Sequence, residues 1–381
     1  MTGDPSRAKA VIDLSAIVHN YRRLAECGVP VMGVVKADAY GHGSDRVART
    51  LRDCGAQWLG VALPTEALAL RAAGDRGRIL ACLWAPGEPG LVDCVASGID
   101  LSVSSELALV EIVAAARHVG QPARIHIKVD TGLSRNGVPR SSWETVFASA
   151  VSAQVAGFVD IVGLWSHLAS ADEPLNPSIE EQIATFHQAC EVAAVYELDA
   201  PLRHIANSAA TVNRPDATLD MVRAGIAVYG IAPGVGLGSS ATLGLRPAMT
   251  LRARLAHVRR IERGTAVSYG GSWVAPEATT VGLVPVGYSD GIPRAESNVA
   301  EVLIDGRRCP VRGVVAMDQF VVELGPESEV QPGDDVVVFG PGDDGEPTAE
   351  DWARWSSTIG YEIVTRISSR VPREYVSVPS G

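Results

Sequence analysis

The sequence predicts a (β/α)8 α/β barrel followed by a mostly antiparallel β domain, and three observations carry that prediction. Eight short apolar runs alternate with helical patterns up to about residue 235, the rhythm of parallel strands with crossover helices. The first of these runs lacks the G-x-G-x-x-G turn that would favour an open dinucleotide-binding sheet. Helical periodicity fades after about residue 238, and short strand-like runs between Gly, Pro and Asp turns replace it.

The barrel strands read as VMGVVKA from Val31, WLGVAL from Trp58, ILACLW from Ile79, IDLSVS from Ile99, RIHIKVD from Arg124, IVGLWSH from Ile161, LRHIAN from Leu202 and VRAGIAVYG from Val222. Most are nearly continuous apolar runs, as expected when both faces of a parallel strand are buried. Between them, Ser15–Gly28, Ser44–Gly55, Pro64–Gly74, Ser105–Gly120, Ser142–Gly157 and Ser178–Leu198 start near capping residues and mostly stop at glycine, which predicts helices. The stretch GVGLGSSATLG reads as a linker. Residues 1–238 are therefore assigned to the barrel and 239–381 to the β domain. The strands of the latter read as AMTLRARLAHVRRI, TTVGLVPVGY, EVLIDGRRCPVRGVVAM, FVVELG and DVVVFG, with one helical stretch at Asp351–Ile359.

Composition narrows the function. Thirty-three basic and 44 acidic residues give a net charge of −11, which argues against binding to nucleic acid or an anionic membrane surface. The six cysteines form no C-x-x-C pair, so no metal site or disulfide framework is expected. The first residues lack the apolar core of a signal peptide. No apolar run approaches the ~18 residues needed to span a bilayer. The expected location is cytoplasmic.

Charged and polar residues gather at the C-terminal ends of the predicted barrel strands, the face where such barrels build active sites. Lys36 ends the first strand. Lys128 and Asp130 end the fifth, with Arg135 in the loop beyond. His167 ends the sixth. His204 and Asn207 lie on the seventh, with Ser208 just after, and Arg223 lies on the eighth. So many charges aimed at one place are costly without a function. A lysine at the end of an apolar strand is expected to be partly desolvated, which favours the neutral amine that attacks aldehydes; spacing alone fits a snorkelling lysine equally well. Ser208 and the backbone N–H groups of Gly225 and Ile226 follow the last two strands, where barrels often bind phosphate, and glycine at 225 permits close backbone approach.

The string VVKADAYGHG around Lys36 resembles the cofactor-lysine motif of the alanine racemases, fold-type III pyridoxal-phosphate enzymes. Asp38 stands where that family more often has Asn. The resemblance extends through IDLSAIVHNYRRL, HIKVDTGLSRNGV, GLWSHLASADEP, HIANSAAT, VRAGIAVYG, VSYGGSW, VPVGYSDGIPR, VAMDQF and RVPREY, in the family's order and over both domains. It implies that Lys36 bonds pyridoxal 5'-phosphate and that Tyr40 reaches its phosphate. Arg223 would face the pyridine nitrogen, backed by His204 and His167. Lys36 and Tyr269 would be the two opposed bases of an L/D-alanine interconversion. A phenol is a poor base at neutral pH unless cations stand near it. In the family the corresponding tyrosine serves the partner subunit, which implies a homodimer. Arg135 would bond the cofactor's phenolic oxygen and the substrate carboxylate. Lys128 matches a lysine that is carbamylated in many relatives, an anion that would orient Arg135. Tyr288, Met317 and Asp318 would line the substrate entrance.

One position departs further. The family often has tyrosine where Ser369 stands, and serine leaves more room, so serine is weighed as an additional substrate. A barrel-fold amino-acid decarboxylase is the enzyme alternative, but such enzymes pair the pyridine nitrogen with a carboxylate, against Arg223. A non-enzymatic pyridoxal-phosphate carrier built on a lone barrel would lack the VSYGG and VAMDQF segments.

Overall fold

The structure, a computed structural model, describes residues 6–377. The chain opens with a strand outside the barrel. Strand β1 (Ala8–Asp13) pairs antiparallel with a strand beginning at Met249 and parallel with the last strand of the described chain. The sequence reading places these residues with the barrel, and here the pairing differs. The cause lies in the residues: AKAVID alternates between buried and half-open positions, the signature of a strand with one covered face.

Eight parallel strands follow: β2 (Val31–Val34), β3 (Trp58–Val61), β4 (Arg78–Ala81), β5 (Asp100–Val103), β6 (Ala123–Lys128), β7 (Val159–Trp165), β8 (Leu202–His204) and β9 (Val222–Ala224). They pair in chain order, and β9 pairs back onto β2. The ring closes through irregular backbone: Asp220 N–H donates to Arg203 O at 3.0 Å and Arg223 N–H to Ala206 O at 3.0 Å. Helices cover the outside, each burying an apolar stripe; Trp143 and Phe147 do so on Trp143–Val155, and Phe186 on Ser178–Val195. Inside the ring, Met32, Trp58, Leu80, Val162 and Met221 form a separate apolar plug.

The second sheet draws on β10 (Met249–Arg254), β11 (His257–Ile261), β12 (Ala266–Val267), β13 (Trp273–Val274), β14 (Thr279–Val284), β15 (Glu301–Ile304), β16 (Arg307–Arg312), β17 (Phe320–Gly325), β18 (Asp335–Phe339) and β19 (Arg373–Val376). Its order is β11-β14-β17-β16-β15-β18-β10-β1-β19, mostly antiparallel, with β12 and β13 as a separate hairpin. The β15–β16 hairpin turns at Asp305-Gly306, both with positive φ (49° and 69°), as a tight two-residue turn requires. No helix among the described residues is long and apolar enough to cross a membrane.

Candidate active site

Lys36 lies just past β2 at the C-terminal mouth of the barrel. There the chain leaves the strand for one left-handed turn: Ala37, Asp38, Ala39 and Tyr40 have φ between 52° and 54°, a conformation that costs L-residues roughly 1–2 kcal/mol each. One remote contact and two nearby ones hold it. The Glu66 carboxylate accepts from Ala37 N–H at 2.6 Å. The Asp38 carboxylate accepts from Ser44 N–H at 2.7 Å and so caps the next helix. His42, pushed down to about 4 by burial, is neutral, and its Nδ1 lies 3.0 Å from both Ala39 O and Tyr40 O. Lys36 itself is exposed, with Nζ 5.8 Å from the Tyr40 ring centroid. The expectation of a desolvated amine is not met, because the strand stops at Val34 and the turn carries position 36 into the open mouth.

Tyr40, Ser208 and Gly225 come together at the mouth where β8, β9 and β2 close the ring. The Gly225 and Ala227 N–H groups donate to Ser208 Oγ at 2.8 and 3.4 Å, which leaves the serine O–H free to donate elsewhere. A Cβ at Gly225 would lie 2.3 Å from the Tyr40 hydroxyl, so only glycine lets that phenol close over the backbone. Ile226 starts the turn Ile226–Tyr229 beside them. Hydroxyls and amides without a carboxylate are the donor set that suits a phosphate group. Asn207 caps the short helix Ser208–Asn213 by accepting from Ala210 N–H at 3.0 Å.

Arg223 is buried, and both of its terminal nitrogens are engaged. Its Nη1 donates to His204 Nδ1 at 2.9 Å and His204 O at 3.0 Å; Nη2 donates to Ser166 O at 2.7 Å, Ile205 O at 3.2 Å and His167 Nδ1 at 3.2 Å. Burial lowers the guanidinium to about 10, so it stays charged at neutral pH. Burial, then the Arg223 charge, hold His167 and His204 well below the ordinary histidine value, so both are neutral acceptors. Lys128 is buried, 4.7 Å from the Trp165 ring centroid, and Arg223 lies at the same distance from that ring. Burial, then Arg223, push the Lys128 amine down to about 8.

Arg135 is exposed on a loop pinned by Asp130, whose carboxylate accepts from Gly132 and Ser134 N–H at 3.0 and 3.1 Å. Tyr269 is 72 % exposed on the short turn Tyr269–Gly271. Tyr288 and Met317 are exposed on two loops joined by Tyr288 N–H to Ala316 O at 3.1 Å and Ser289 N–H to Met317 O at 2.9 Å. Asp318 pairs with Arg370 at 2.8 Å, and that hydrogen bond lowers its carboxyl.

Sequence reasoning passed over Glu66, Trp165, Asp100 and His126. Glu66 reads as an ordinary residue of a helix's first turn. The other three sit inside apolar strand runs, and their signal was spacing: His126 is two residues from Lys128, on the same face of the strand.

Residues 12–233 match the alanine racemase N-terminal domain and residues 248–375 the alanine racemase C-terminal domain. The chain belongs to the alanine racemase family. With that membership it is an isomerase, and the decarboxylase and lone-barrel carrier readings fall. The alanine racemase of Streptomyces coelicolor is 51 % identical over 378 residues, 97 % of this chain and 96 % of that protein. That of Thermobifida fusca is 51 % identical over 372 residues, 97 % and 98 % of the two chains. The solved alanine racemase of the D-cycloserine-producing Streptomyces lavendulae shares 49 % identity and a TM-score of 0.96 over 98 % of each chain. That of Bartonella henselae, solved with covalently bound pyridoxal phosphate, has a TM-score of 0.87 at 28 % identity, over 98 % of this chain and 100 % of that one.

Proposed function

We propose that this chain interconverts L- and D-alanine with pyridoxal 5'-phosphate, in a homodimer with shared sites. The observation that carries the reading is the buried Arg223 guanidinium, held by acceptors from β8 and from the residues just past β7 and β8, beside the Ser208–Gly225–Tyr40 cradle. Ser208, the Ile226 amide and Tyr40 would hold the phosphate, with Gly225, whose amide donates to Ser208 Oγ, allowing the close backbone approach. Lys36 would bond the aldehyde carbon, Arg135 the phenolic oxygen, and Arg223 the ring nitrogen, with His167 and Asn207 alongside. When bound, the cofactor supplies an electron sink for the substrate Cα–H bond. Arg223 would donate a hydrogen bond to the ring nitrogen and give up no proton, which would keep that sink weak and restrain side reactions.

Inversion needs a proton-accepting group on each face of the substrate carbon. Lys36 Nζ takes or returns the proton on the D-alanine side, and Tyr269 Oη does so on the L-alanine side. Among the described residues, no hydrogen bond or ring contact joins Tyr269 to Lys36. Its exposure, together with that of Tyr288, Met317 and Val274, supports service in the partner's site. Arg135 would pair with the substrate carboxylate, while Met317, Tyr288 and Asp318 line the entrance. Ser369, also exposed, leaves room for a hydroxymethyl side chain, and serine is the second substrate this reading allows.

The test follows α-deuterium exchange of each alanine enantiomer in D2O with cofactor-loaded protein. Tyr269→Phe should suppress exchange of L-alanine far more than of D-alanine, and Lys36→Ala should abolish turnover. Equal loss for both enantiomers in Tyr269→Phe, or full activity in a monomer, would sink the two-sided assignment.

A further inference from the structure

A buried chain of hydrogen bonds runs from Arg223 through the barrel to two residues remote from the mouth. Arg223 Nη1 meets His204 Nδ1 at 2.9 Å, His204 Nε2 meets His126 Nδ1 at 3.0 Å, and His126 Nε2 meets Asp100 Oδ2 at 3.3 Å. Arg124 clamps the far end, donating to both Asp100 oxygens at 2.9 and 3.2 Å. His204, His126 and Asp100 are each 0 % exposed. These partners come from β9, β8, β6 and β5, so the chain crosses the barrel interior.

One arrangement of protons satisfies every link. A guanidinium only donates, so His204 Nδ1 must accept. Its proton then sits on Nε2 and is donated to His126 Nδ1. His126 in turn carries its proton on Nε2 and donates it to an ionised Asp100, whose charge Arg124 balances. The opposite arrangement would require a deprotonated guanidinium. Each link also polarises the next, strengthening the acceptor that Arg223 meets.

The surroundings are shaped for this chain. The β6–β7 register slips between Ile125 and His126, which sets His126 opposite Gly163. A Cβ at Gly163 would lie 2.4 Å from His126 Nδ1, so any larger residue would displace the imidazole from His204. Trp58 meets the His126 ring edge-on at 5.3 Å, and Trp165 stacks on His204 at 5.6 Å with an interplanar angle of 8°.

We propose that Asp100 and His126 are positioning residues that lock His204 in the tautomer presenting a lone pair to Arg223, and thereby fix the guanidinium that faces the cofactor's ring nitrogen. Only that last step rests on the functional reading above.

The experiment is nitrogen NMR of [15N]histidine-labelled protein, with and without pyridoxal phosphate, alongside steady-state kinetics. The expected wild-type spectrum gives His204 and His126 a pyridine-type Nδ1 and a pyrrole-type Nε2. In His126→Phe the His204 signals should move toward a mixture of tautomers. There kcat should fall roughly tenfold in both directions with KM little changed, by analogy with the loss when an outer-shell partner of a metal-ligating histidine is removed. Asp100→Asn, which keeps an acceptor, should retain the tautomer and lose less. A wild-type His204 protonated at Nδ1 overturns the proposal, as does a His126→Phe protein with unchanged His204 shifts and kcat. The wild-type shifts decide the proton arrangement even where a variant does not fold. They are read independently of cofactor binding, so a failure of the alanine reading is distinguishable.

Discussion

The Glu66 carboxylate accepts the backbone N–H of Ala37 at 2.6 Å, the first amide after Lys36. Its other oxygen accepts from Ala62 and Leu63 N–H at 2.8 and 3.0 Å. One side chain at the start of the helix Pro64–Ala72 thus ties the end of β3 to the left-handed turn after β2. Glu66→Ala should lower stability by about 1–2 kcal/mol, at the modest end for a charge-assisted bond because the site is half-open. It should also lower kcat, since the turn that aims Lys36 loses its tether. Glu66→Gln, with one acceptor oxygen for three amides, should fall between. Denaturant midpoints and kcat check this together; a Glu66→Ala protein with wild-type values for both would remove the role.

Much of the fold was readable because its main elements obey local rules. Barrel strands bury both faces and so appear as apolar runs, and helices stop where glycine makes stopping easy. β1 escaped because its alternation is resolved only by partners more than two hundred residues away. The positions of Lys36, Arg223, Ser208 and Gly225 at strand ends were legible for the same reason as the strands. Their environments were not. Nothing within KADAY itself forces four left-handed residues; the adjacent His42 braces the turn, and Glu66 tethers it from another helix. The exposure of Lys36 follows from that turn and reverses the expected desolvation. Asp100 and His126 were hidden because a lone polar residue in an apolar run acquires a partner only when the ring of strands closes.

The buried amine of Lys128, depressed to about 8 mainly by burial and then by Arg223, predicts a pH dependence. Between about pH 8 and the ordinary lysine value of 10.5, the unfolded chain binds the extra proton, so stability should rise with pH across that window in CO2-free buffer. Lys128→Met should flatten the slope. The neutral amine also adds CO2: an N–C bond forms, one N–H proton leaves to solvent, and the product is an anion facing Arg223 and Arg135. With 13C-bicarbonate at pH 8–9, a carbamate resonance should appear that Lys128→Met lacks. Identical spectra for the two proteins would rule out carbamylation at this lysine.

Glu296 predicts the opposite slope in a lower window. It is fully buried; one oxygen accepts the Ser356 hydroxyl, while Oε2 has no partner among the described residues. Burial raises its carboxyl from 4.5 to about 7. Between those values the folded chain holds the extra proton, so stability should fall as pH rises through the window, the loss being complete above about 7. Glu296→Gln removes the ionisation. Its melting temperature relative to wild type should therefore be more favourable at pH 8 than at pH 5. The same difference at both pH values would mean that Glu296 does not ionise on this scale.

The backbone around Ser369 is pinned, which bears on the proposal that serine is a second substrate. Ser368 N–H donates to Asp290 O at 3.0 Å, Arg373 donates to Ser368 O at 2.6 Å, and Arg370 pairs with Asp318 at 2.8 Å. On that proposal, a larger side chain at 369 would occupy the space beside the entrance instead of shifting the loop. The tyrosine that relatives often carry would fill room that serine leaves open. In wild type, kcat/KM for serine should be appreciable beside that for alanine. Ser369→Tyr should lower the serine-to-alanine ratio roughly tenfold, the scale on which pocket size discriminates one small group. Chiral chromatography of both racemisation reactions measures the ratio, and a ratio indifferent to the substitution would place the specificity determinant elsewhere.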